Sequence, residues 1–538
     1  MRRALALAGT MAMMAAVGGP AGAHNEGIPS VPLDRQNLTH IQNIPNVSGN
    51  ALDFFARRQA DGTVKHYAVV AHMGWGFDIL EVDDPGHPKV VGRYTGPDTA
   101  NPANTLNYGY GVNVHPWVSV NPRRNIVALT IEDQPVRGAA PRHNLVGVGI
   151  QFVDISDVTN PKPLGQVTPV DGPHTVRMIG DTCAYTSLNT WIVDYTDPQN
   201  PTAQRKGGQF EGHEFWEDAN RPGLVYFGRA GTFGFGVLDV ENCRDPKIVG
   251  TLFGDPSVSG GASHEVYPAP DSSFVGVADF KSGQSTVACP GGGIHFYDVS
   301  GRYVQGASQQ APRKMGQWFA PFSGVSSNPS ATQPNYASCT MHSWQPQPER
   351  TMGVVGLYAG GTWVLDFSAP TQAGGAYTEF DGGDRGKTTW ANTTGNVRDA
   401  LDYVNAAQWL PFDLANPQHE RYIFVNGSER GLDVYRYDGP LPKKMSRLTV
   451  EGSAPAGVLT GKLERYAMLG PDGWRNTPLG GRTVTISVNG VETTARTADD
   501  GGFAADLELS AGSHQVTVTW AGDAIFRQET VTRTVTVA

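Results

Sequence analysis

Five histidines recur at one place in a repeated sequence pattern, and their side chains could bind a metal ion. Each stands at the start of a segment typical of a β-strand, with an apolar residue two positions later. Imidazole nitrogen is a common ligand of transition metals, so the pattern predicts a site for one ion of copper, iron, zinc or manganese. The five residues are His115, His174, His213, His264 and His342.

Two glutamates directly follow histidines of this set. Glu214 comes after His213, and Glu265 comes after His264. A carboxylate beside a metal-binding imidazole can orient that ring, or it can act as a base on water that the metal activates. We therefore predict that Glu214 and Glu265 are candidate catalytic residues.

The same histidines also have a structural interpretation. Repeat proteins copy structural residues together with their repeats, and a histidine between neighbouring sheets could hydrogen-bond across them. Histidine in five of seven repeats is compatible with either role. The chain has no GxSxG, HExxH or EF-hand motif that would point to another site. The sequence leaves both interpretations open.

An aspartate ends one strand in every repeat. A carboxylate in this position can accept hydrogen bonds from backbone N–H groups of the following turn. We therefore assign these residues a structural role and exclude them from the candidate site. They are Asp83, Asp154, Asp194, Asp239, Asp298, Asp366 and Asp433.

The repeat itself consists of an apolar strand, the terminal aspartate and a turn that usually contains proline. A spacing of about forty to seventy residues leaves room for four short strands per copy, which is typical of propeller blades. The sequence therefore predicts an all-β fold with a seven-bladed β-propeller over residues 45–438. Residues 24–44 are expected to supply an outer strand that closes the ring. The copies span Phe77–Tyr94, Ile150–Val167, Thr190–Gly207, Phe235–Leu252, Ile294–Val304, Thr362–Gln372 and Arg430–Gly439.

Position in a propeller would explain why the histidines matter. The first strand of each blade lines the axis, so equivalent residues form a ring at one height. Five imidazoles on such a ring could converge on one metal ion.

Several of these strings resemble the LVIVD repeat of bacterial and archaeal cell-surface proteins, notably "WIVDYTDPQNP" and "FVDISDVTNPKP". The strings "LYAGGTWVLDFSAP" and "GSERGLDVYRYDG" resemble the last two blades of exported actinobacterial members. The resemblance implies a β-propeller but little about activity. The copy "IHFYDVSGRYV" departs from the pattern because it lacks the Asp-Pro turn.

In architecture and histidine placement the chain is also similar to carotenoid oxygenases and selenium-binding proteins. These seven-bladed propellers surround a metal with axial histidines. Several polysaccharide lyases of the same fold use histidine at the channel mouth. The similarity implies an oxidase, oxygenase or lyase activity for a histidine site here.

The last hundred residues have a different pattern. Residues 439–456 are rich in Pro, Gly and Ser, which predicts a linker. Residues 457–538 form alternating strands separated by Asn-Gly and Asp-Gly turns. The string "NGVETTARTADDGGFAADL" resembles bacterial Ig-like modules. The resemblance implies a small β-sandwich that acts as a spacer or attachment domain.

The first residues and the cysteines predict export. Residues 1–23 combine two arginines, a short apolar run and a small-residue cleavage site, as in a signal peptide cleaved after Ala23. An even number of cysteines in an exported protein favours disulfides. Three pairings of the four cysteines are compatible with the sequence; we prefer Cys183–Cys243 with Cys289–Cys339, since each would link neighbouring repeats.

The net charge of the chain restricts the kinds of molecule that it could bind. The 538-residue chain has a net charge of −10 and no basic cluster, which argues against nucleic acid. No segment after the signal peptide is apolar for long enough to span a membrane. We expect a secreted or cell-surface monomer. Our first functional hypothesis is that the chain is a binding or scaffold protein for a small molecule, a polysaccharide or a cell-surface partner. The alternative is that it is a histidine-coordinated metalloenzyme.

Overall fold

The protein is described by a computed structural model. It covers residues 31–45, 47, 49, 51–72, 76–95, 117–131, 149–168, 173–187, 189–229, 231–255, 258, 262–280, 292–300, 312–319, 341–357, 361–368, 383–391, 404–427, 430–507 and 509–537. Nearly all regular structure in these residues is β-strand, which confirms the all-β prediction. The predicted signal peptide lies outside the described residues.

Seven antiparallel sheets occupy the described residues from 31 to 437. Sheet 1 contains β3 (Leu52–Arg58), β4 (Val64–His72), β5 (Gly76–Glu81) and β6 (Lys89–Tyr94). Sheet 2 contains β7 (Val118–Asn121), β8 (Ile126–Ile131), β9 (Gly149–Asp154) and β10 (Lys162–Val167). Sheet 3 contains β11 (Val176–Ile179), β12 (Cys183–Thr186), β13 (Trp191–Asp194) and β14 (Thr202–Arg205).

The next two sheets have the same plan. Sheet 4 contains β15 (Gly212–Glu217), β16 (Leu224–Arg229), β17 (Gly234–Asp239) and β18 (Lys247–Phe253). Sheet 5 contains β19 (Ala262–Pro268), β20 (Phe274–Phe280), β21 (Gly293–Asp298) and β22 (Arg313–Phe319). In each sheet the strands pair in chain order, so every sheet is a meander.

The N-terminal strands complete the last two sheets. Sheet 6 contains β23 (Met341–Pro346), β24 (Met352–Leu357), β25 (Gly361–Asp366), β26 (Gly383–Ala391) and, at its edge, β1 (Val31–Gln36). Sheet 7 contains β27 (Val404–Trp409), β28 (Tyr422–Gly427), β29 (Gly431–Tyr437) and the outer strand β2 (Leu38–Ile44). The pairing of β2 with β29 agrees with the outer strand that the sequence predicts before residue 45.

Each sheet packs against the next, and the last packs against the first. Contacts between neighbouring sheets involve their first strands, for example β15 with β19 and β19 with β23. The contact between sheets 7 and 1 is a core that joins Leu52, Phe54 and Ala68 to Phe424 and Val434. The seven sheets therefore follow one another around a closed circuit.

Arginines near the ends of first strands attach one sheet to the next. Arg57 Nη2 donates to the carbonyl of Ile155 (2.7 Å), and Arg124 Nη1 donates to that of Tyr195 (2.8 Å). Arg221 makes the same kind of bond to Val299. Each accepting residue directly follows a recurrent aspartate, so these bonds anchor the turn of the neighbouring repeat.

The C-terminal residues form a second unit of two sheets, which we call the C-terminal module. One sheet comprises β30 (Ser446–Val450), β32 (Val458–Gly470), β33 (Gly473–Pro478) and β36 (Gly502–Asp506). The other comprises β31 (Ser453–Ala454), β34 (Thr483–Val488), β35 (Val491–Arg496), β37 (Gly512–Trp520) and β38 (Glu529–Val537). Apolar residues from both sheets share one core.

Part of the segment expected to be a linker belongs to this module. Residues 439–456 contain β30, which pairs with β32, and β31, which pairs with β38. Three short 3-10 helices, Gly208–Phe210, Pro417–Arg421 and Pro455–Gly457, complete the regular structure of the described residues. None of the helices there is long and apolar enough to cross a bilayer.

One disulfide joins sheets 3 and 4. Cys183 and Cys243 are bonded, with their Cα atoms 6.0 Å apart, as the sequence predicts. Cys289 and Cys339 lie outside the described residues.

Candidate metal centre

The candidate histidines stand where the first strands of sheets 3 to 6 begin. His213, His264 and His342 lie in β15, β19 and β23, and His174 precedes β11 by two residues. The pairing of β15, β19 and β23 with the second strand of the sheet shifts register next to the histidine. Such β-bulges place two consecutive side chains out of the normal alternation.

The four imidazole rings form a continuous row. The ring centroids of His174 and His213 are 5.2 Å apart, and those of His213 and His264 are 3.9 Å apart. His264 and His342 are also 3.9 Å apart. All four side chains are buried, with the His264 residue 0% exposed. Residues far apart in the sequence therefore meet at one place.

Glu214 joins this row. Its Oε1 lies 2.9 Å from His264 Nδ1, without the alignment of a hydrogen bond. Its Oε2 accepts a hydrogen bond from the Trp216 indole (3.3 Å). One potential ligand atom from each of His213, Glu214 and His264 lies within 4.8 Å of the others. This separation fits three groups that converge on one ion.

Two imidazole nitrogens in the row have neither a hydrogen bond nor an ion-pair contact with the described part of the chain. His213 Nδ1 and His264 Nε2 are buried, and neither has a hydrogen bond among the residues that the structure describes. A buried polar atom that lacks a partner carries a free-energy cost. A metal ion would use these nitrogens and remove that cost.

Burial sets the charge of these groups. Desolvation, with the neighbouring His264, lowers the pKa of His213 well below its usual range, and desolvation does the same for His264. Both rings are therefore neutral near pH 7, the form that binds metals. Desolvation raises the pKa of the Glu214 carboxyl to about 8. Burial, assisted by Glu214, raises the pKa of Glu265 well above its usual range.

Glu265 has a different environment from Glu214. Its Oε2 accepts a hydrogen bond from the backbone N–H of Trp344 (2.6 Å). Both glutamates line a cavity between the first strands that contains about 330 Å³ of empty space, part of it open to solvent. Glu265 is thus next to the cavity, but it is not one of the three residues whose ligand atoms converge.

Sequence reasoning missed Arg177, which lines the same cavity. Its guanidinium lies over the Trp216 ring, 3.7 Å from the centroid, and 3.3 Å from Asp53 Oδ2. Arg177 follows His174 by three residues in the first strand of sheet 3. Arg177 reaches the cavity only because sheets 1, 3 and 4 meet there. No local sequence signal would have identified it as a cavity residue.

The fifth candidate histidine and the tryptophans near the first strands are the remaining candidates from the sequence. His115 lies outside the described residues, so the structure brings together four of the five histidines. Trp344 and Trp409 are fully buried in apolar cores, whereas Trp216 lines the cavity.

Five of the seven recurrent aspartates accept the hydrogen bond from the following turn that the sequence predicts. Asp194 Oδ1 accepts the backbone N–H of Thr196 (2.9 Å), and Asp298 Oδ1 accepts that of Ser300 (2.9 Å). Asp154, Asp239 and Asp366 accept the equivalent bond. Asp83 and Asp433 instead bind His66 and Arg430.

Comparison with known proteins identifies no family. No protein-family model matches the chain, and no curated protein matches it. Solved structures similar to it include the periplasmic gluconolactonase PpgL of Pseudomonas aeruginosa, with 11% identity, TM-score 0.47, and coverage of 73% of this chain and 94% of that one. A putative 6-phosphogluconolactonase from Bacteroides uniformis has 8% identity, TM-score 0.44 and the same coverage.

A third similar structure is the β-propeller domain of Cps50 (Swd1) from Myceliophteria thermophila. It has 9% identity and TM-score 0.43, with coverage of 76% of this chain and 99% of that domain. Likenesses this distant provide no basis for transferring an activity to this chain.

Proposed function

We propose that this chain is an exported seven-bladed β-propeller that binds one transition-metal ion on its axis. The ring comprises residues 45–438 and is completed by the outer strands of residues 31–44. Its support is the closed circuit of seven antiparallel sheets, together with the pairing of β2 and β29, which joins the two ends of the ring. The first strand of every sheet then faces the axis.

The observation that carries the metal proposal is the convergence of His213, Glu214 and His264 within 4.8 Å. These three are the proposed ligands, and His174 and His342 stand at the two ends of the same row to complete the site. His115 is proposed as a fifth member of the ring from its place in the repeat. Neutral imidazoles with a carboxylate, which Glu214 would provide by releasing its proton when the ion binds, suit copper, iron, zinc or manganese.

A metal ion bound here would supply Lewis-acid or redox chemistry. The chain's own residues would do the remaining work. Glu265 would hold a proton at the cavity wall, because burial beside the cavity favours the neutral form of its carboxyl. Arg177 would orient a ligand that carries oxygen atoms, because its guanidinium also faces the cavity. This use of the site as a metalloenzyme centre extends the metal proposal to catalysis.

A binding or scaffold function without metal is the second candidate. The histidine rings also pack against Phe280, whose ring centroid is 4.9 Å from that of His264. Thr175 Oγ1 donates to the carbonyl of His213 (2.5 Å), which links sheets 3 and 4. These contacts favour a role of the histidines in holding the sheets together.

Export and the type of the C-terminal module are part of the proposal. The Cys183–Cys243 disulfide supports an oxidising compartment, consistent with the predicted signal peptide. Two sheets around one core support an Ig-like β-sandwich over residues 457–538, extended by the strands β30 and β31. The partner would be a small molecule, a polysaccharide or a cell-surface component.

The test is metal analysis of the full chain purified without a histidine tag. The wild type, after reconstitution with copper, iron, zinc or manganese, is expected to retain one ion per chain. The double variant His213→Ala/His264→Ala is expected to retain none. His87→Ala is the matched control, since the His87 side chain is 77% exposed in a turn and should leave binding unchanged.

Two results would contradict the metal proposal. The first is a wild-type protein that holds no ion after reconstitution. The second is a folded double variant, verified by circular dichroism, that still binds one ion. Either result would favour the scaffold function.

A further inference from the structure

The C-terminal module is bound to the ring by buried charges. Arg465, in β32, contacts Glu349 through two hydrogen bonds of 2.6 and 2.8 Å, and it contacts Asp413 at 2.7 Å. Lys444 contacts the same Glu349 at 2.9 Å. The Glu349 side chain is only 3% exposed, so its pairs with Arg465 and Lys444 are shielded from water. A flexible spacer domain would not bury such a network.

Apolar packing accompanies the charges. The Leu469 backbone N–H, at the end of β32, donates to the carbonyl of Pro411 (3.0 Å). The Leu469 side chain belongs to the same buried cluster as Leu52, Phe54 and Phe412 of sheets 1 and 7. The module thus shares a hydrophobic core with the ring.

The contacts lie on one end of the ring. Glu349 and Asp413 lie in the turns that join the first and second strands of sheets 6 and 7. Burial raises the pKa of the Tyr466 phenol in β32, and the charge of Asp271, in the equivalent turn of sheet 5, adds to this shift, so Asp271 lies near β32. At its other side β32 contacts β3 of sheet 1. In a ring of seven, sheets 5 and 1 are about 150° apart, so a strand that reaches both passes close to the axis.

The histidine row lies at the opposite end. First strands begin at the histidines and finish at the turns that the module covers, so the cavity lies between the two. We use the term axial channel for the space that the first strands of the proposed ring enclose, which includes the cavity. We infer that the C-terminal module seals the end of this channel where β32 crosses Glu349, Asp413 and β3, so that a ligand reaches the cavity only from the histidine side. This inference rests on the ring arrangement of the proposed function, but it does not depend on a metal.

The consequence concerns access to the site. A channel open at both ends would let small molecules pass through, whereas a channel closed at one end is a pocket. Closure would also keep water away from the end of the cavity nearest the module, which we call the cavity floor. Trp216 lines the cavity there and is only 6% exposed. The module would then be a structural part of the binding site rather than a spacer.

Hydroxyl-radical footprinting of the metal-free full chain, read by mass spectrometry, tests this inference. Tyr466 reports docking of the module, Trp216 reports the cavity floor, and the buried Trp520 reports that the module itself stays folded. Arg465→Ala, or Arg465→Ala with Leu469→Asn where one change is too weak, should increase oxidation of Tyr466 and Trp216 several-fold. Oxidation of Trp520 should not change.

Arg475→Ala is the control, because Arg475 belongs to the same module but its side chain is 68% exposed. It should leave all three reporters as in the wild type. Increased oxidation of Tyr466 without any change at Trp216 would show that the module docks but does not seal the channel. If the oxidation of Tyr466 is unchanged in both interface variants, these contacts do not hold the module in place, and the inference is also overturned.

Because no metal is present in this experiment, its outcome is separate from the metal proposal. A protein that binds no metal can still show the expected footprint, and a metalloprotein can fail to show it.

Discussion

At the scale of single residues, the sequence identified the histidines but not the way in which Glu214 joins them. Strict strand alternation would direct His213 and Glu214 to opposite faces. The register shift after Gly212 instead allows both side chains to approach His264. A β-bulge has no reliable local signature, so this convergence became visible only in the folded chain.

The two glutamates are expected to differ in their effect on metal binding. Glu214→Gln should weaken metal affinity by more than about tenfold, because it removes a proposed ligand. Glu265→Gln should leave the affinity largely unchanged, because Glu265 is not in the converging group. Titration calorimetry with the reconstituting metal measures both. An equal loss in the two variants would contradict the assignment of Glu214 as the ligand.

Asp194 provides a pH-dependent test of the structural role of the recurrent aspartates. Its hydrogen bond from Arg244, with those from Thr196, lowers its pKa to about 2. Because the folded pKa is below the unfolded value, its ion pair stabilises the protein above about pH 4, and this stabilisation is lost as the pH falls towards 2. The Asp194 side chain is 30% exposed, so the contribution should be about 1 kcal/mol or less.

Asp194→Asn keeps an oxygen for the Thr196 N–H group but removes the charge. The wild type should have the higher Tm at pH 5, and the difference should shrink as the pH approaches 2. Asp472→Asn, at a side chain that is 62% exposed, is the control and should show no such trend. A Tm difference independent of pH would exclude the ion pair as its cause.

At the scale of elements, the repeat predicted strand, turn and strand but not how consecutive copies touch. The outer strand of sheet 2 carries Gly165, whose N–H donates to the Pro198 carbonyl in the turn of sheet 3 (2.7 Å). A Cβ atom there would lie 2.3 Å from the Gln199 carbonyl oxygen. Gly92 has the same relation to Val158 in the next sheet. Glycine is therefore needed because a neighbouring turn rests on the outer strand.

Gly165→Ala should destabilise the ring by about 2 kcal/mol or more, because the turn of sheet 3 must move to accommodate the methyl group. Gly470→Ala is the control, since the nearest atom to its Cβ would be 3.7 Å away. Urea unfolding followed by tryptophan fluorescence measures both variants. A Gly165→Ala protein as stable as the control would show that this contact is not tight.

The linker prediction failed for a reason at the same scale. Pro, Gly and Ser make up seven of the 18 residues of 439–456, and the five-residue strand β30 is too short to stand out among them. Its residues alternate between buried and half-buried, but its stability comes from pairing with β32. Such non-local pairing cannot be read from the segment itself.

At the scale of the whole molecule, the proposed histidine site would depend on closure of the proposed ring. The N-terminal strand β2 pairs with β29 near the end of the circuit, and Gln408 of sheet 7 donates to the Leu52 carbonyl of sheet 1 (2.9 Å). The periodicity of the sequence predicted the repeated four-stranded sheets. It could not predict which faces of the sheets would meet, and so it missed Arg177 and the contact between module and ring.

The most direct test of the metal centre is a crystal structure of the reconstituted full chain with data collected at the absorption edge of the metal. We expect one anomalous difference peak within about 2.0–2.3 Å of a ring nitrogen of both His213 and His264 and next to the Glu214 carboxylate. A map with no peak among these residues, or with its peak at another place in the chain, would contradict the proposed metal site.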